Sequence, residues 1–326
     1  MLDRLLNKVL AGKGITQSEA LRLINTPDQD TLLLLNAANK IRQKFKKNTV
    51  RLCSIVNAKS GKCSENCSFC AQSAHFQTQA KYYSLYSPAN IMEKAKIAEE
   101  KSKATCFSIV TSGKGMQDDS EIKNICSTLN RISQKTKMNR CVSLGILDRA
   151  AIKKLKAAGL KRMHHNLETA ESFFENICTT HKYSDRVKTL KIAKEEGLEL
   201  CSGGIFGLGE SLQQRIELAF TLKKIGVDSI PLNILHPIEG TPAAKNYKLM
   251  VPFEVLRLIA TYRFIFPKQD VGLLGGREYS LKSLQPLLFL AGANVILIGD
   301  YLVTKGQKVE QDLQMIKDLG LEISYG

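Results

Sequence analysis

The sequence predicts an α/β fold, a (β/α)8 barrel of the TIM type behind an N-terminal helical extension, and three observations carry that expectation. From about residue 50 onward, eight short apolar runs alternate with lysine-rich amphipathic segments of ten or more residues. No break in composition divides that stretch, and its length suits one barrel of about 250 residues. The first 47 residues instead repeat their apolar positions at three and four, the period of a helix.

Taken in order, LDRLLNKVL and SEALRLINTPDQDTLLLLNAANKIRQKF read as helices, and Thr16 with Glu19 reads as a capping box before the second. Residues 1–48 are assigned to the extension and 49–326 to the barrel. Strands are expected at 50–56, 104–110, 140–144, 161–167, 199–206, 229–235, 270–275 and 293–298. Helices are expected near 89–102, 118–134, 148–158, 184–196, 211–225, 252–265 and 281–290. Periodicity alone also accommodates an open doubly wound sheet.

With 44% hydrophobic and 24% charged residues among 326, the composition is that of a globular protein and excludes disorder. No run approaches the roughly 20 apolar residues of a membrane span. The opening MLDRLLNKVLAGKG carries Asp3 and lacks the uninterrupted apolar stretch of a secretion signal, so a cytoplasmic location is expected. A net charge of +16 raises nucleic acid or an anionic membrane as partners. The lysines of 40–47, 94–103, 153–162 and 305–317, however, mostly stand beside Glu or Asp at helical spacing, which describes solvated helix faces. Neither partner is expected.

Nine cysteines in a cytosolic chain point to metal or catalysis rather than disulfides. Three of them form Cys63-Ser-Glu-Asn-Cys67-Ser-Phe-Cys70, a C-x3-C-x2-C run in a polar loop directly after the first strand. Three thiolates this close can take three corners of a cubane cluster, leaving the fourth iron to a ligand that is not protein. Structural zinc wants four closed ligands, and only His75 lies near enough to supply the fourth. Further along, polar or thiol residues interrupt strands whose barrel-facing positions should be Val, Ile or Leu. These are Cys106 and Ser108, Cys141, His164 with Asn166 and Glu168, Cys201, and Arg277 beyond the seventh strand. A single buried Cys is ordinarily a small hydrophobe, but several on separate strands suggest a second metal site.

The cysteine loop, with Phe69 before its last Cys, resembles the radical S-adenosylmethionine (AdoMet) superfamily, whose motif holds a [4Fe–4S] cluster and cleaves AdoMet to a 5′-deoxyadenosyl radical. From about Asn57 to Leu321 the chain closely resembles the biotin synthase family. The stretches that carry this are CSENCSFCAQS, HHNLETAESFFENICTTHKYSDR, CSGGIFGLGES, IPLNILHPIEGTP, GGREYSLKSLQPLLFLAGAN and IGDYLVTKGQ. The resemblance implies insertion of sulfur between a methylene and a methyl carbon of dethiobiotin. Unactivated C–H bonds offer no acidic proton, so the cofactor must carry that step. It implies that Cys63, Cys67 and Cys70 ligate the radical cluster, while Phe69, Gly203, Ile205, Gly207 and Glu210 stand beside AdoMet. Asn166 and Glu168 fall where the family binds AdoMet and the ureido ring, Asn233 where a second amide reads that ring, and Lys59 and Thr304 at further dethiobiotin contacts. An amide offers both donor and acceptor to a cyclic urea. A homodimer and electrons from flavodoxin or ferredoxin are implied as well.

The same resemblance implies an auxiliary [2Fe–2S] cluster held by three Cys and one Arg. Cys141, Cys201 and Arg277 match three of those positions, but the fourth falls on Ser108, with the nearest thiol, Cys106, two residues earlier. Positions i and i+2 of a strand share a face about 6.5–7 Å apart, so either residue could complete the site only at its own location. Three readings stay open: Ser108 or Cys106 completes the site, the auxiliary cluster is of another type, or sulfur insertion has been lost. A related radical enzyme with another substrate and a zinc-stabilised nucleic-acid-binding module are the competing functions. His164 and His181 also depart from the family pattern, and Cys53, Cys126 and Cys178 read as structural thiols.

Overall fold

The computed structural model describes residues 1–116, 118–246 and 249–325. Its strands are β1 (Thr49–Lys59), β2 (Cys106–Thr111), β3 (Asn139–Ser143), β4 (Arg162–His164), β5 (Glu199–Cys201), β6 (Gly204–Phe206), β7 (Ser229–Ile234), β8 (Asp270–Leu273), β9 (Val295–Leu297) and β10 (Glu322–Ile323). Every pairing is parallel, and the order β1-β2-β3-β4-β5-β7-β8-β9 closes when β9 pairs back onto β1. β6 pairs with β7 in the register that β5 begins, so β5 and β6 are two segments of one stave. Eight staves therefore form a closed (β/α)8 barrel, as the alternation predicts, and β10 joins the start of β1.

Two-residue alternation sorts the staves. Val50, Leu52 and Val56 of β1, Phe107 and Ile109 of β2, Val142, Met163 and Leu200 are buried in the apolar core. Their neighbours Cys53 and Ile55, Cys106 and Ser108, Cys141 and Ser143, Arg162 and His164, and Cys201 line the barrel interior. The exceptional strand residues Cys106, Ser108, Cys141, His164 and Cys201 thus occupy the inward parity.

Helices between the staves begin at caps. Ser87, Asp118, Asp148 and Ser211 each accept a backbone N–H of the first turn. In the extension, helices Leu2–Leu10, Gln17–Ile24 and Thr31–Lys46 precede β1, and Thr16 with Glu19 forms the expected reciprocal capping box. Helix Thr31–Lys46 packs on helix Pro252–Ile265, joining the extension's apolar faces to the barrel's core.

Four of the differences from expectation bear on the site. The run 161–167 is a strand only to His164, and the chain then turns at Glu168, whose φ is +70°. The run 199–206 is interrupted at 202–203, opposite Pro231, which has no N–H to donate. A Cβ on Gly203 would lie 1.9 Å from the Pro231 carbonyl oxygen, so only glycine fits there. The expected helix 281–290 is broken into Arg277–Leu281, a 3-10 turn and Leu287–Leu290, with Pro286 starting the last piece. Helix Val309–Asp318 is not among the expected helices, although Val309, Leu313 and Ile316 recur at helical spacing, and its buried face also carries Asp312.

Candidate active site

The C-x3-C-x2-C loop leaves the end of β1 and is closed on itself by backbone hydrogen bonds. Cys63 N donates to Gln72 O at 3.0 Å, Ala74 N to Cys63 O at 2.7 Å, and Cys70 N to Cys67 O at 2.9 Å. Ser73 Oγ donates to Glu65 O at 2.6 Å inside the loop. A second set of bonds ties the loop to the segment after β4. Ser68 N donates to Ile177 O at 2.8 Å, and the Glu65 carboxylate meets His181 Nδ1 at 2.5 Å and Thr180 Oγ1 at 2.8 Å. Burial pushes the Cys70 thiol up to about 11. The Cys67 thiol, within 4.8 Å of Cys178, holds Cys178 down at about 3 against burial, with His181 adding to the effect. Thiols so placed become iron ligands only as thiolates, releasing their protons to solvent as the metal binds.

Cys63, Cys67, Phe69 and Cys70 stand on the wall of a cavity of about 440 Å³ that runs into the barrel. Asn166, Glu168, Ile205, Asn233 and Thr304 line it as well, all five being expected site residues. Asn166 Oδ1 accepts from Gly203 N at 3.1 Å. Arg186 donates to Asn166 O at 2.9 Å and to Glu168 Oε1 at 3.3 Å. Burial raises Glu168 above the usual carboxylate range in spite of Arg186. Glu168 Oε2, Ser108 Oγ and His165 Nε2 are buried at this wall without a hydrogen-bond partner, so the cavity offers unmet polar groups to a ligand. The Asn233 amide spans two backbones, accepting from Gly275 N at 2.9 Å and donating to Gly204 O at 3.2 Å.

Deeper in the barrel lies a layer of thiols. Cys53 is the cross-strand partner of Cys106, Cys141 the partner of both Ser108 and Arg162, and Cys201 the partner of His164. Interaction with the neighbouring Cys141 and Cys53 thiols holds Cys106 well below its ordinary range, while interaction with Cys106 and burial raise those two. Burial pushes Cys201 up to about 11 and His164 down to about 4, and the two side chains meet at 3.3 Å. Arg162 reaches this layer from β4, fixed by Glu199 at 2.9 Å.

Other expected residues are not brought to the cavity. Arg277 was expected beside Cys141 and Cys201, yet its guanidinium turns away to Asp312 at 2.6 Å and to Gln285, because the buried acid of the C-terminal helix takes its charge. Lys59 pairs with Glu121 at 2.7 Å and is likewise outside the lining. Of the stretch Gly203, Ile205, Gly207 and Glu210, only Ile205 lines the cavity. The Glu210 carboxylate accepts from Gly207 N at 2.9 Å, Leu208 N at 2.7 Å and Arg215 Nε at 2.7 Å, so it holds the turn that presents Ile205. Sequence reasoning missed Arg162 and the inward parity of Cys53, which VRLCSIV carries by setting Arg51, Cys53 and Ile55 on one face. It also missed Cys178 and His181 behind Cys67. Among the described residues these three are the set whose ligand atoms all lie within 4.8 Å of one another.

Residues 58–222 match the model of the Radical SAM superfamily, and residues 231–322 that of the Biotin and Thiamin Synthesis associated domain. The biotin synthase of Geotalea daltonii is 46% identical over 99% of this chain and 98% of its own. That of Carboxydothermus hydrogenoformans is 47% identical over 98% of each. Among solved structures, methylornithine synthase (PylB) superposes with a TM-score of 0.84 at 18% identity, covering 98% of this chain and 97% of that one, a likeness of fold. No helix among the described residues is long and apolar enough to cross a membrane.

Proposed function

Because the chain belongs to the biotin synthase family, we propose that it inserts sulfur into dethiobiotin to close the ring of biotin, using AdoMet as its radical source. The observation that carries this reading is one cavity shared by the Cys63–Cys70 loop and a layer of thiols deeper in the barrel. When bound, a [4Fe–4S] cluster with AdoMet supplies a radical that can take hydrogen from unactivated C–H bonds, and an auxiliary cluster supplies sulfur.

The chain's own residues then divide the work. Cys63, Cys67 and Cys70 hold the radical cluster, and the bonds from Glu65 to His181 and Thr180 fix their loop. Glu168 and Asn166 present polar groups at the AdoMet end, with Ile205 and Phe69 as apolar wall. Asn233 and Thr304 flank dethiobiotin, and the Asn233 carbonyl oxygen keeps one lone pair free for a ureido N–H. Cys141 and Cys201 hold the auxiliary cluster, with Cys106 rather than Ser108 as the next ligand, since a thiolate binds iron–sulfur clusters far better than a hydroxyl. Cytoplasmic location, a homodimer and flavodoxin or ferredoxin as electron donor complete the reading.

The test is an anaerobic incubation of reconstituted protein with dethiobiotin, AdoMet and reductant, following 5′-deoxyadenosine and biotin by mass spectrometry. Formation of both supports the reading. Deoxyadenosine without biotin overturns sulfur insertion into this substrate, and absence of both overturns the radical chemistry.

A further inference from the structure

Resting on that reading, the geometry points to an all-thiolate auxiliary site: Cys53, Cys106, Cys141 and Cys201 hold the auxiliary cluster, and Arg162 is its charge partner. No arginine or serine ligand is used.

The topology gathers this set. β1, β2, β3, β4 and β5 are consecutive staves, and they contribute Cys53, Cys106, Cys141, Arg162 and Cys201 in turn. Cys53 and Cys106 stand opposite one another across β1 and β2, and Arg162 stands opposite Cys141 across β3 and β4. β2 lies between β1 and β3, so Cys106 has Cys53 on one neighbouring stave and Cys141 on the other. All four thiols are free, and all line the cavity. No three of them satisfy the 4.8 Å mutual spacing that the Cys67, Cys178 and His181 set meets. Thiols that neighbour one another in sequence around a wall, without converging on one point, suit a polynuclear cluster better than a single ion.

Charge makes the same case. Several thiolates in a closed barrel need a buried cation, and Arg162 lines the same cavity from β4, between the staves of Cys141 and Cys201 and opposite Cys141 in register. It is 4% exposed and its fork is oriented by Glu199, so the cation is fixed before any cluster is loaded. Arg277 cannot take this part, being committed to Asp312 and outside the cavity lining. Ser108 is the partner of Cys141 and the next inward residue after Cys106, leaving its unpartnered hydroxyl beside the site rather than in the ligand set.

The experiment counts iron and sulfide, and records the visible absorption spectrum, in the full-length chain carrying C63A, C67A and C70A. That background removes the radical cluster and reports the auxiliary site alone. Retained iron and sulfide, lost by about tenfold or more on adding C53A or C106A and unchanged on adding S108A, is the expected result. Cys53→Ser guards against misfolding: it keeps the side chain's shape, and the spectrum should shift as oxygen replaces sulfur. Iron and spectrum unmoved by Cys53→Ser or by C106A would overturn the four-thiol set while leaving an auxiliary cluster in place. A background chain that folds, as its circular dichroism and melting transition report, yet holds no iron overturns the auxiliary cluster itself.

Discussion

Arg277 Nη2 donates to Asp312 Oδ2 at 2.6 Å, joining the turn after β8 to the C-terminal helix with both side chains closed to solvent. Truncating one partner of such a pair strands the other charge, at a cost of about 3–5 kcal/mol. Asp312→Ala should therefore lower unfolding stability in urea by that order. The iron bound per folded chain should not change, since this arginine is structural. A loss below about 1 kcal/mol, the range of an exposed pair, would contradict the account.

Alanine at Cys63, Cys67 or Cys70 should abolish 5′-deoxyadenosine formation, because each removes a ligand of the radical cluster. Alanine at Cys141 or Cys201 should abolish biotin while deoxyadenosine still forms, because the two thiol groups occupy different depths of one cavity. Product ratios by mass spectrometry separate the two classes. Biotin yield unchanged in both Cys141→Ala and Cys201→Ala would remove these residues from the sulfur source.

Much of this was legible in the sequence, and the reasons are physical. The barrel followed from the βα rhythm, and the radical loop from three cysteines adjacent in the chain. The thiol layer was only partly legible, because its members are distant in sequence and meet through strand register: Cys53 with Cys106, Cys141 with Arg162. Inward parity could identify each candidate but not which staves are neighbours. Arg277 reads in the sequence like a ligand because its partner, Asp312, lies 35 residues further on in the C-terminal helix, and their pairing exists only in the fold. Glu210 looked like a ligand-facing acid and instead caps its own turn, a role visible only when its acceptors find Gly207, Leu208 and Arg215.

Asp270 sets an acid limit to stability. Burial alone would raise its carboxyl, but Lys46 and Arg51, at 2.8 and 2.9 Å, override that and hold it at about 2. An unfolded Asp titrates near about 3.9, so between these values the unfolded chain binds more protons and stability falls as pH falls. The contribution, about 2–3 kcal/mol, is fully present above about pH 4 and lost toward pH 2. Asp270→Asn should be less stable at neutral pH, with Lys46 and Arg51 left unpaired, and should show a flatter acid limb. Denaturant unfolding of both proteins across that window measures it, and parallel limbs would contradict the assignment.

The radical loop depends on a contact outside its own cysteines. Glu65 sits between Cys63 and Cys67, and its carboxylate is tied to His181 and Thr180 across the loop's boundary. Burial opposes its charge, yet these hydrogen bonds keep the carboxyl below its ordinary value. Glu65→Gln preserves shape and removes the charge, which should cost about 1–3 kcal/mol locally. Anaerobic iron release to a chelator should accelerate, and the Michaelis constant for AdoMet should rise as the loop loosens. Thr16→Ala supplies the comparison, since losing that helix cap also costs about 0.5–2 kcal/mol but in the N-terminal extension. If both substitutions speed iron release equally, global stability controls the cluster. If only Glu65→Gln does, the bridge from the loop to His181 keeps the three thiolates in register.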